Sequence, residues 1–185
     1  MSLSINKPAF TEKTIKIKKI FAGKIINLRT EEVILPDGNT TTREIVEHPG
    51  AVAILPLLEN RRILMVQQYR KTIEEITLEI PAGKVEPGEN LYACVERELQ
   101  EETGYSAKSC RQILSFYPTP GYSNEIIYLF LASKLIKKKM HPDSDEFLQP
   151  TSLTLKEAIK LIREGKIKDA KTIIAILILK SGLVT

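Results

Sequence analysis

The sequence predicts an α/β protein with an additional small antiparallel β-sheet at its N-terminal end. Ile-rich alternation and a hairpin pattern precede residue 49, whereas three helical patterns with capping residues follow it. With 185 residues, 43% of them hydrophobic, the chain can bury one substantial core. We therefore expect an N-terminal sheet region over residues 1–48 and a main domain over residues 49–185.

The N-terminal region contains several strand signals. Apolar residues alternate from Thr14 to Ile26, with Gly23 as a turn or bulge, and a hairpin is predicted over residues 33–46. We place the hairpin turn at Asp37-Gly38, because glycine supplies the positive φ that tight turns need. Because a sheet of this size has exposed edges, we expect it to pair with the main domain or with a second chain. A homodimer formed through this sheet is the simplest arrangement.

The main domain is predicted to begin with a second hairpin and to end with two helices. Residues 51–57 and 63–69 form the predicted hairpin, and the last helix is apolar on all sides, so we expect it to be buried. Between the hairpin and these helices we predict short strands over residues 77–80, 112–116 and 125–132 and an acidic loop over residues 141–146. Thr154 with Glu157 is the predicted cap of the first of the two helices, and Asp169 is the predicted cap of the second.

The most informative stretch runs from Gly83 to Tyr105 and predicts a loop, a helix and a stop. Asn90 is a suitable N-cap, and Gly104 is a suitable left-handed residue at the C-terminal end. Between them an apolar stripe recurs every fourth residue, at Leu91, Val95 and Leu99.

Three carboxylates lie on one face of this helix. Glu98, Glu101 and Glu102 are spaced i, i+3 and i+4, where like charges destabilise a helix by roughly 0.2–0.5 kcal/mol per pair. The negative end of the helix dipole disfavours each anion by about 0.3–1 kcal/mol more. A solvated charged face with Arg97 as internal counter-ion is one interpretation. The other is a site for a hard cation such as Mg²⁺ or Mn²⁺, which prefers carboxylate oxygens.

The spacing of this stretch closely resembles the Nudix box of the Nudix hydrolase family. A glycine is followed after five residues by Glu89 and, after seven more, by Arg-Glu-Leu-x-Glu-Glu-x-Gly and a bulky residue, here Tyr105 in place of the usual aliphatic residue. The resemblance implies an α/β/α sandwich with a mixed sheet. It also implies Mg²⁺- or Mn²⁺-dependent hydrolysis of a nucleoside diphosphate linked to another group.

The same resemblance assigns roles to residues of the box. It implies metal ligands at Glu98 and Glu102, a supporting ligand or base at Glu101, an orienting arginine at Arg97, a backbone carbonyl ligand at Ala82 and an assisting acid at Glu89.

Features outside the box resemble the ADP-ribose pyrophosphatase subfamily. They are Gln68-Tyr69-Arg70, the stretch over residues 78–83, the Thr-Pro-Gly of residues 119–121 and the tail over residues 165–172. The resemblance implies hydrolysis of ADP-ribose to AMP and ribose 5-phosphate. Substrate contacts are implied at Arg70, Glu79, Pro120 and Gly121, and at Arg43 across a dimer.

The resemblance to this subfamily also implies a general base in the acidic loop that precedes the last two helices. Glu146 is the first choice, and Asp145 and Glu101 remain alternatives, since the subfamily often has a second acid where this chain has Ser144.

Two other functions fit the same residues. One is a Nudix pyrophosphatase that acts on NADH, an ADP-sugar or a GDP-sugar. The other is a Nudix module that senses a nucleotide without cleaving it, although a pure binder would have no need for the complete acid cluster.

Composition limits the partners and the compartment. The net charge of +4 arises from 27 basic and 23 acidic residues spread along the chain, which favours anionic metabolites over nucleic acid. No stretch reaches the roughly 18 apolar residues of a membrane span. Two cysteines, Cys94 and Cys110, indicate reduced thiols, so we expect a cytoplasmic protein.

Overall fold

The computed structural model describes residues 10–142 and 146–183, and these residues form two compact units. The first unit holds residues 10–49 together with the loop 119–125, and the second holds the remainder.

The first unit is built on a three-stranded antiparallel sheet. Its strands are β1 (Lys13–Ala22), β2 (Asn27–Ile34) and β3 (Thr40–Glu47), in the order β1-β2-β3. Ile34 pairs with Thr40, and Gly38 has a φ of +88°, so the predicted hairpin is confirmed. The loop 119–125 joins this unit through the Val46 N–H, which donates to the Tyr122 carbonyl at 2.8 Å.

The second unit contains seven strands and three helices within the described residues. The elements are β4 (Ala51–Pro56), β5 (Ile63–Arg70), β6 (Glu75–Glu79), β7 (Ala82–Lys84), α1 (Leu91–Thr103), β8 (Tyr105–Phe116), β9 (Ile127–Lys137), β10 (Leu148–Leu153), α2 (Leu155–Arg163) and α3 (Ala170–Ser181).

These strands form one mixed and one antiparallel sheet. The mixed sheet has the order β7-β4-β9-β8, with β4 and β9 parallel, and the antiparallel sheet has the order β10-β5-β6. The predicted hairpin of residues 51–57 and 63–69 is therefore wrong, because β4 and β5 lie in different sheets and share only the bridge from Leu57 to Ile63. An apolar run such as residues 51–57 fits a central strand that is buried on both faces as well as it fits a hairpin strand. The sequence pattern therefore did not distinguish these two arrangements.

Strand β4 shows how the layers are arranged. Its Val52 and Ile54 pack in a cluster with residues of α1, whereas Ala53 and Leu55 pack in a second cluster with α2 and α3. All four side chains are 0% exposed. Helices therefore cover both faces of the mixed sheet, and the expected α/β/α sandwich is confirmed.

Other elements differ from expectation in extent. Strand β8 begins directly after Gly104, and β10 was not predicted because Pro150 interrupts its pattern. Proline is tolerated there because β10 is an edge strand. Helix α3 is buried on one side only, since Leu177 is 46% exposed while Ala175 and Ile176 are fully buried. None of the helices in the described part of the chain is long and apolar enough to cross a membrane.

Candidate active site

Helix α1 holds the acidic cluster in a fixed orientation. Asn90 accepts a hydrogen bond from the Ala93 N–H at 2.9 Å, and Gly104 ends the helix with a φ of +71°, as the sequence predicts. Cys94, Val95 and Leu99 are buried in the cluster that α1 forms with β4 and β9. Because this stripe is anchored, the rotation of the helix about its axis is set, and with it the positions of the acids.

Arg97 binds three glutamates at once. It forms two hydrogen bonds with Glu89, at 2.9 and 3.0 Å, and its Nη1 donates to Glu98 at 2.6 Å and to Glu101 at 3.0 Å. The bonds from Arg97 hold the pKa of Glu89 at about 2. Glu101 thus points toward Arg97, and the arginine orients the acids as a rigid group.

Glu98 and Glu102 are buried carboxyl groups that each accept a single hydrogen bond from the described residues, from Arg97 and from the Ala82 N–H respectively. They are 8% and 3% exposed. Burial raises the pKa of Glu98 to about 7 against the opposing charge of Arg97, and burial together with the charge of Glu98 raises the pKa of Glu102 to about 8. With these raised pKa values, the protonated form of both acids is favoured when no further positive charge is present. A cation bound beside them would favour the ionised form and would itself be stabilised by it.

Gly83 is required by the close approach of Glu98. A Cβ atom at position 83 would lie 1.8 Å from Glu98 Oε1. On the other side, the Ala82 N–H donates to Glu102 Oε2 at 3.1 Å. The start of β7 and helix α1 therefore enclose the two carboxylates between them.

The donor set fits a hard divalent cation. Glu98 Oε2 and Glu102 Oε1 receive no hydrogen bond from the residues that the structure describes, and both side chains are nearly buried. Over the same residues, no three His, Cys, Asp or Glu side chains form a ready-made metal cluster. A pair of carboxylates, a backbone carbonyl, water and substrate phosphate is the kind of shell that Mg²⁺ accepts.

Glu146 acts on the two carboxyl groups through its charge. Its negative charge contributes to the raised pKa values of both Glu98 and Glu102. The alternative base Asp145, like Asp143 and Ser144, lies outside the described residues.

Arg70 and Glu79 form a second charged group beside the acids. Arg70 makes two parallel hydrogen bonds to the Glu79 carboxylate, at 2.8 and 2.7 Å, and Lys171 of α3 also donates to Glu79. The hydrogen bonds to Glu79 raise the pKa of Arg70, and the charge of Glu102 adds to that rise. The charge of Lys171 lowers the pKa of Glu102, against the larger effect of burial. Two cations therefore lie near the buried carboxylates, and the arginine among them suits a phosphate group as its ligand.

The remaining predicted substrate residues belong to the first unit. Arg43 forms hydrogen bonds to Glu12 at 3.0 and 2.5 Å, and Pro120 and Gly121 lie in a turn closed by the Tyr122 N–H and the Thr119 carbonyl at 3.2 Å. Their roles in substrate binding stay predictions.

Lys171 and Thr172 were not singled out from the sequence as site residues. Both lie in the first turn of α3, and both contact residues 79–80, which lead through Pro81 into β7. The tail motif over residues 165–172 was the only signal that pointed to them, and it does not say which side chains turn inward.

Comparisons with known proteins found a matching family model, similar sequences and a similar fold. The family model described as NUDIX domain matches residues 47–175. A protein named methanol dehydrogenase activator, from Bacillus methanolicus, is 47% identical over 169 residues, or 90% of this chain and 91% of that protein. A protein named ADP-ribose pyrophosphatase, from Bacillus subtilis strain 168, is 47% identical over 167 residues, or 89% and 90%. A crystal structure of an ADP compounds hydrolase has a similar fold, with a TM-score of 0.83, 20% identity, and coverage of 98% of this chain and 97% of that chain.

Proposed function

Because this chain belongs to the NUDIX family, we propose that it is a hydrolase that cleaves the diphosphate bond of ADP-ribose and releases AMP and ribose 5-phosphate. The observation that carries the proposal is the pairing of two buried, under-compensated carboxyl groups, Glu98 and Glu102, with the adjacent cations Arg70 and Lys171. A diphosphate needs both a metal and cations at its oxygens. The relative named ADP-ribose pyrophosphatase supports the choice of substrate.

The metal of this family is a divalent cation, and we assign Mg²⁺ or Mn²⁺ to this chain. Glu98, Glu102 and the carbonyl of Ala82 would hold it, with Glu101 in support. When bound, such an ion neutralises charge on the phosphoryl oxygens and lowers the pKa of a coordinated water.

The protein's own residues orient the reactants. Arg97 fixes Glu98 through its 2.6 Å hydrogen bond, and Arg70 binds a phosphate oxygen. Glu146 takes a proton from the attacking water, whose oxygen forms a bond to one phosphorus atom while the bridging phosphorus–oxygen bond breaks. Glu101 is the alternative base, but its hydrogen bond to Arg97 favours the orienting role.

We assign a homodimer, formed through the first unit, to the same protein. Strand β1 is an edge strand, and its Ile17 and Phe21 are 59% and 57% exposed. Exposed apolar side chains on an unpaired edge favour pairing with a second chain. In that dimer Arg43 would contact the adenine end of the substrate. The two free cysteines support a cytoplasmic location.

The test is hydrolysis of ADP-ribose by the purified protein with Mg²⁺. We expect AMP and ribose 5-phosphate, and we expect Glu102→Gln to lower kcat by about 10²–10³-fold, since the carboxylate acts on charge in the transition state. Glu96→Gln, on the exposed side of the same helix, is the matched control and should retain activity. Absence of turnover, or equal turnover in Glu102→Gln and wild type, would contradict the proposal.

A substrate panel separates ADP-ribose from other nucleoside diphosphate derivatives. NADH, ADP-sugars and GDP-sugars are ranked by kcat/KM beside ADP-ribose. A higher value for any of them replaces ADP-ribose as the substrate while leaving the hydrolase chemistry in place. Stabilisation by a nucleotide without any product would instead support a sensing module.

A further inference from the structure

Glu79 is a buried carboxylate with no room for another hydrogen bond. It is 3% exposed at the end of β6. Its Oε1 accepts from Arg70 Nε at 2.8 Å and from Thr77 Oγ1 at 2.5 Å, and its Oε2 accepts from Arg70 Nη2 at 2.7 Å and from Lys171 Nζ. A carboxylate offers about four acceptor positions. All are used here, so Glu79 has none left for a substrate hydroxyl.

The first turn of α3 holds Glu79 and the residue after it. Lys171 donates to the Glu79 side chain, and Thr172 Oγ1 accepts from the buried Ile80 N–H at 2.9 Å. Asp169 joins the two, because it accepts from Lys171 at 3.0 Å and from the Thr172 hydroxyl at 2.5 Å. One helical turn therefore fixes both a side chain and the backbone at consecutive positions.

This attachment lies next to the acidic cluster. Ile80 is followed by Pro81 and by Ala82, whose N–H donates to Glu102 at 3.1 Å. The Lys171 side chain is 11% exposed, so its bond to Glu79 is largely shielded from water. The first turn of α3 is thus connected to the site by its hydrogen bonds to residues 79–80 and by the backbone that follows them.

The guanidinium group of Arg70 binds Glu79 through one edge and leaves its other edge available to a ligand. Its Nε and Nη2 bind Glu79, whereas Nη1 has no hydrogen-bond partner in the part of the chain that the structure describes. The side chain is 39% exposed and lines an open cleft of about 600 Å³. The orientation of the available edge therefore depends on how Glu79 is held.

We propose that Lys171 and Glu79 are positioning residues that together set the direction in which Arg70 presents Nη1 to a substrate phosphate. Glu79 then does not contact the substrate itself, which replaces the role expected from the sequence. This inference rests on the proposed function, because Arg70 is taken there as the phosphate ligand. Under this proposal the first turn of α3 helps to position Arg70 in the active site.

A double-mutant cycle tests whether Lys171 acts through Arg70. In ADP-ribose hydrolysis with Mg²⁺, we expect Lys171→Met to lower kcat/KM by about 10–100-fold, mainly through KM, the range expected for loss of a hydrogen bond to a charged group. Arg70→Ala should have an equal or larger effect. The double variant should be no worse than Arg70→Ala within about twofold. Multiplication of the two losses would overturn the proposal.

Two further variants separate positioning from general effects. Lys171→Arg keeps a donor for Glu79 and should recover most of the lost activity. Lys168→Met removes the same charge from the same cleft. Among the described residues Lys168 pairs with the exposed Glu75 alone, at 2.9 and 3.2 Å, so this variant should change kcat/KM by less than about twofold. An equal loss in Lys168→Met and Lys171→Met would show a general charge effect and would contradict the proposal.

A spectroscopic measurement keeps the test independent of turnover. The Arg70 Nε–H signal in a ¹H–¹⁵N spectrum of the protein should be protected from solvent exchange in wild type and in Lys168→Met, and should lose that protection in Lys171→Met. An unchanged signal in a folded Lys171→Met overturns the proposal. If wild type fails to hydrolyse ADP-ribose, the proposed function fails while this measurement still decides whether Lys171 holds Arg70.

Discussion

Four glutamates near helix α1 differ in their charge states because their partners differ. Burial pushes the pKa of Glu79 upward, but the hydrogen bonds and charge of Arg70 and Lys171 outweigh it and hold that pKa at about 2. The bonds from Arg97 keep the pKa of Glu89 at about 2 as well. Glu98 and Glu102 are as deeply buried as Glu79 but receive fewer donors, so their pKa values rise to about 7 and about 8. Of these four glutamates, only Glu98 and Glu102 lack enough nearby positive charge to offset the effect of burial on their pKa values.

The raised pKa of Glu102 predicts how stability of the metal-free protein depends on pH. Its ordinary pKa of 4.5 rises to about 8 on folding, so the unfolded chain releases the proton first as pH increases. The free energy of unfolding should therefore fall as pH rises from about 4.5 to 8. Glu102→Gln should remove part of that fall and raise Tm at pH 8. Thermal unfolding in EDTA between pH 5 and 9 measures both effects.

The matched control for this prediction is Glu96→Gln, which removes an exposed carboxylate from the same helix and should follow the wild-type pH profile. Addition of Mg²⁺ should stabilise wild type at pH 8 and should stabilise Glu102→Gln much less. A wild-type Tm that rises steadily to pH 8, together with an equal response of both proteins to Mg²⁺, is the outcome that contradicts the role of Glu102.

At the scale of the element, α1 combines unfavourable charges with strong terminal signals. The acids lie near the negative end of the helix dipole, and no basic residue lies in the last turn. Asn90 and Gly104 cap the two ends, and the buried stripe anchors the helix to β4 and β9. Packing and caps, together with Arg97, therefore outweigh the repulsion among the carboxylates.

The N-cap of α1 gives a prediction about stability. Asn90→Ala removes the hydrogen bond to the Ala93 N–H and should lower the free energy of unfolding by about 1 kcal/mol. Asn90→Asp keeps an acceptor and should have a much smaller effect. Urea denaturation followed by circular dichroism gives the midpoint and the slope. An unchanged midpoint in Asn90→Ala would mean that the cap does not stabilise the helix.

At the scale of the whole molecule, the first unit leaves apolar side chains in contact with water. Every residue of β1 is exposed, including Ile15, Ile17 and Ile20. Within the described residues the sheet has three strands, and these strands do not bury the apolar side chains of β1. The proposed homodimer accounts for this composition, since a second chain would cover the strand.

The proposed homodimer predicts a shift in mass when β1 is made polar. Ile17→Lys places a charge on an exposed apolar position and should convert the dimer to a monomer at micromolar concentration, as measured by sedimentation equilibrium. Lys18→Gln, at the next position on the same strand, is the control and should stay dimeric. A wild-type protein that sediments as a monomer contradicts the proposal.

The elements that sequence predicts best depend on neighbours in the chain. The caps of α1, α2 and α3, the Asp-Gly hairpin and the buried stripe of α1 are all confirmed, because each depends on residues within a few positions. The hairpin of residues 51–69 is wrong and β10 was missed. Both depend on which distant strand supplies the hydrogen bonds, and β4 finds its partner more than 70 residues away in β9.

The sequence by itself determined the box helix, its three acids and the arginine among them, since these follow from spacing along one helix. The tertiary structure decided what those acids do. It buried Glu98 against a glycine that leaves room for it, it buried Glu102 beside the Ala82 N–H, and it brought Lys171 to Glu79 across 92 positions of the chain. Burial and distant partners set the charge of a carboxyl group, and neither is written in the residues beside it.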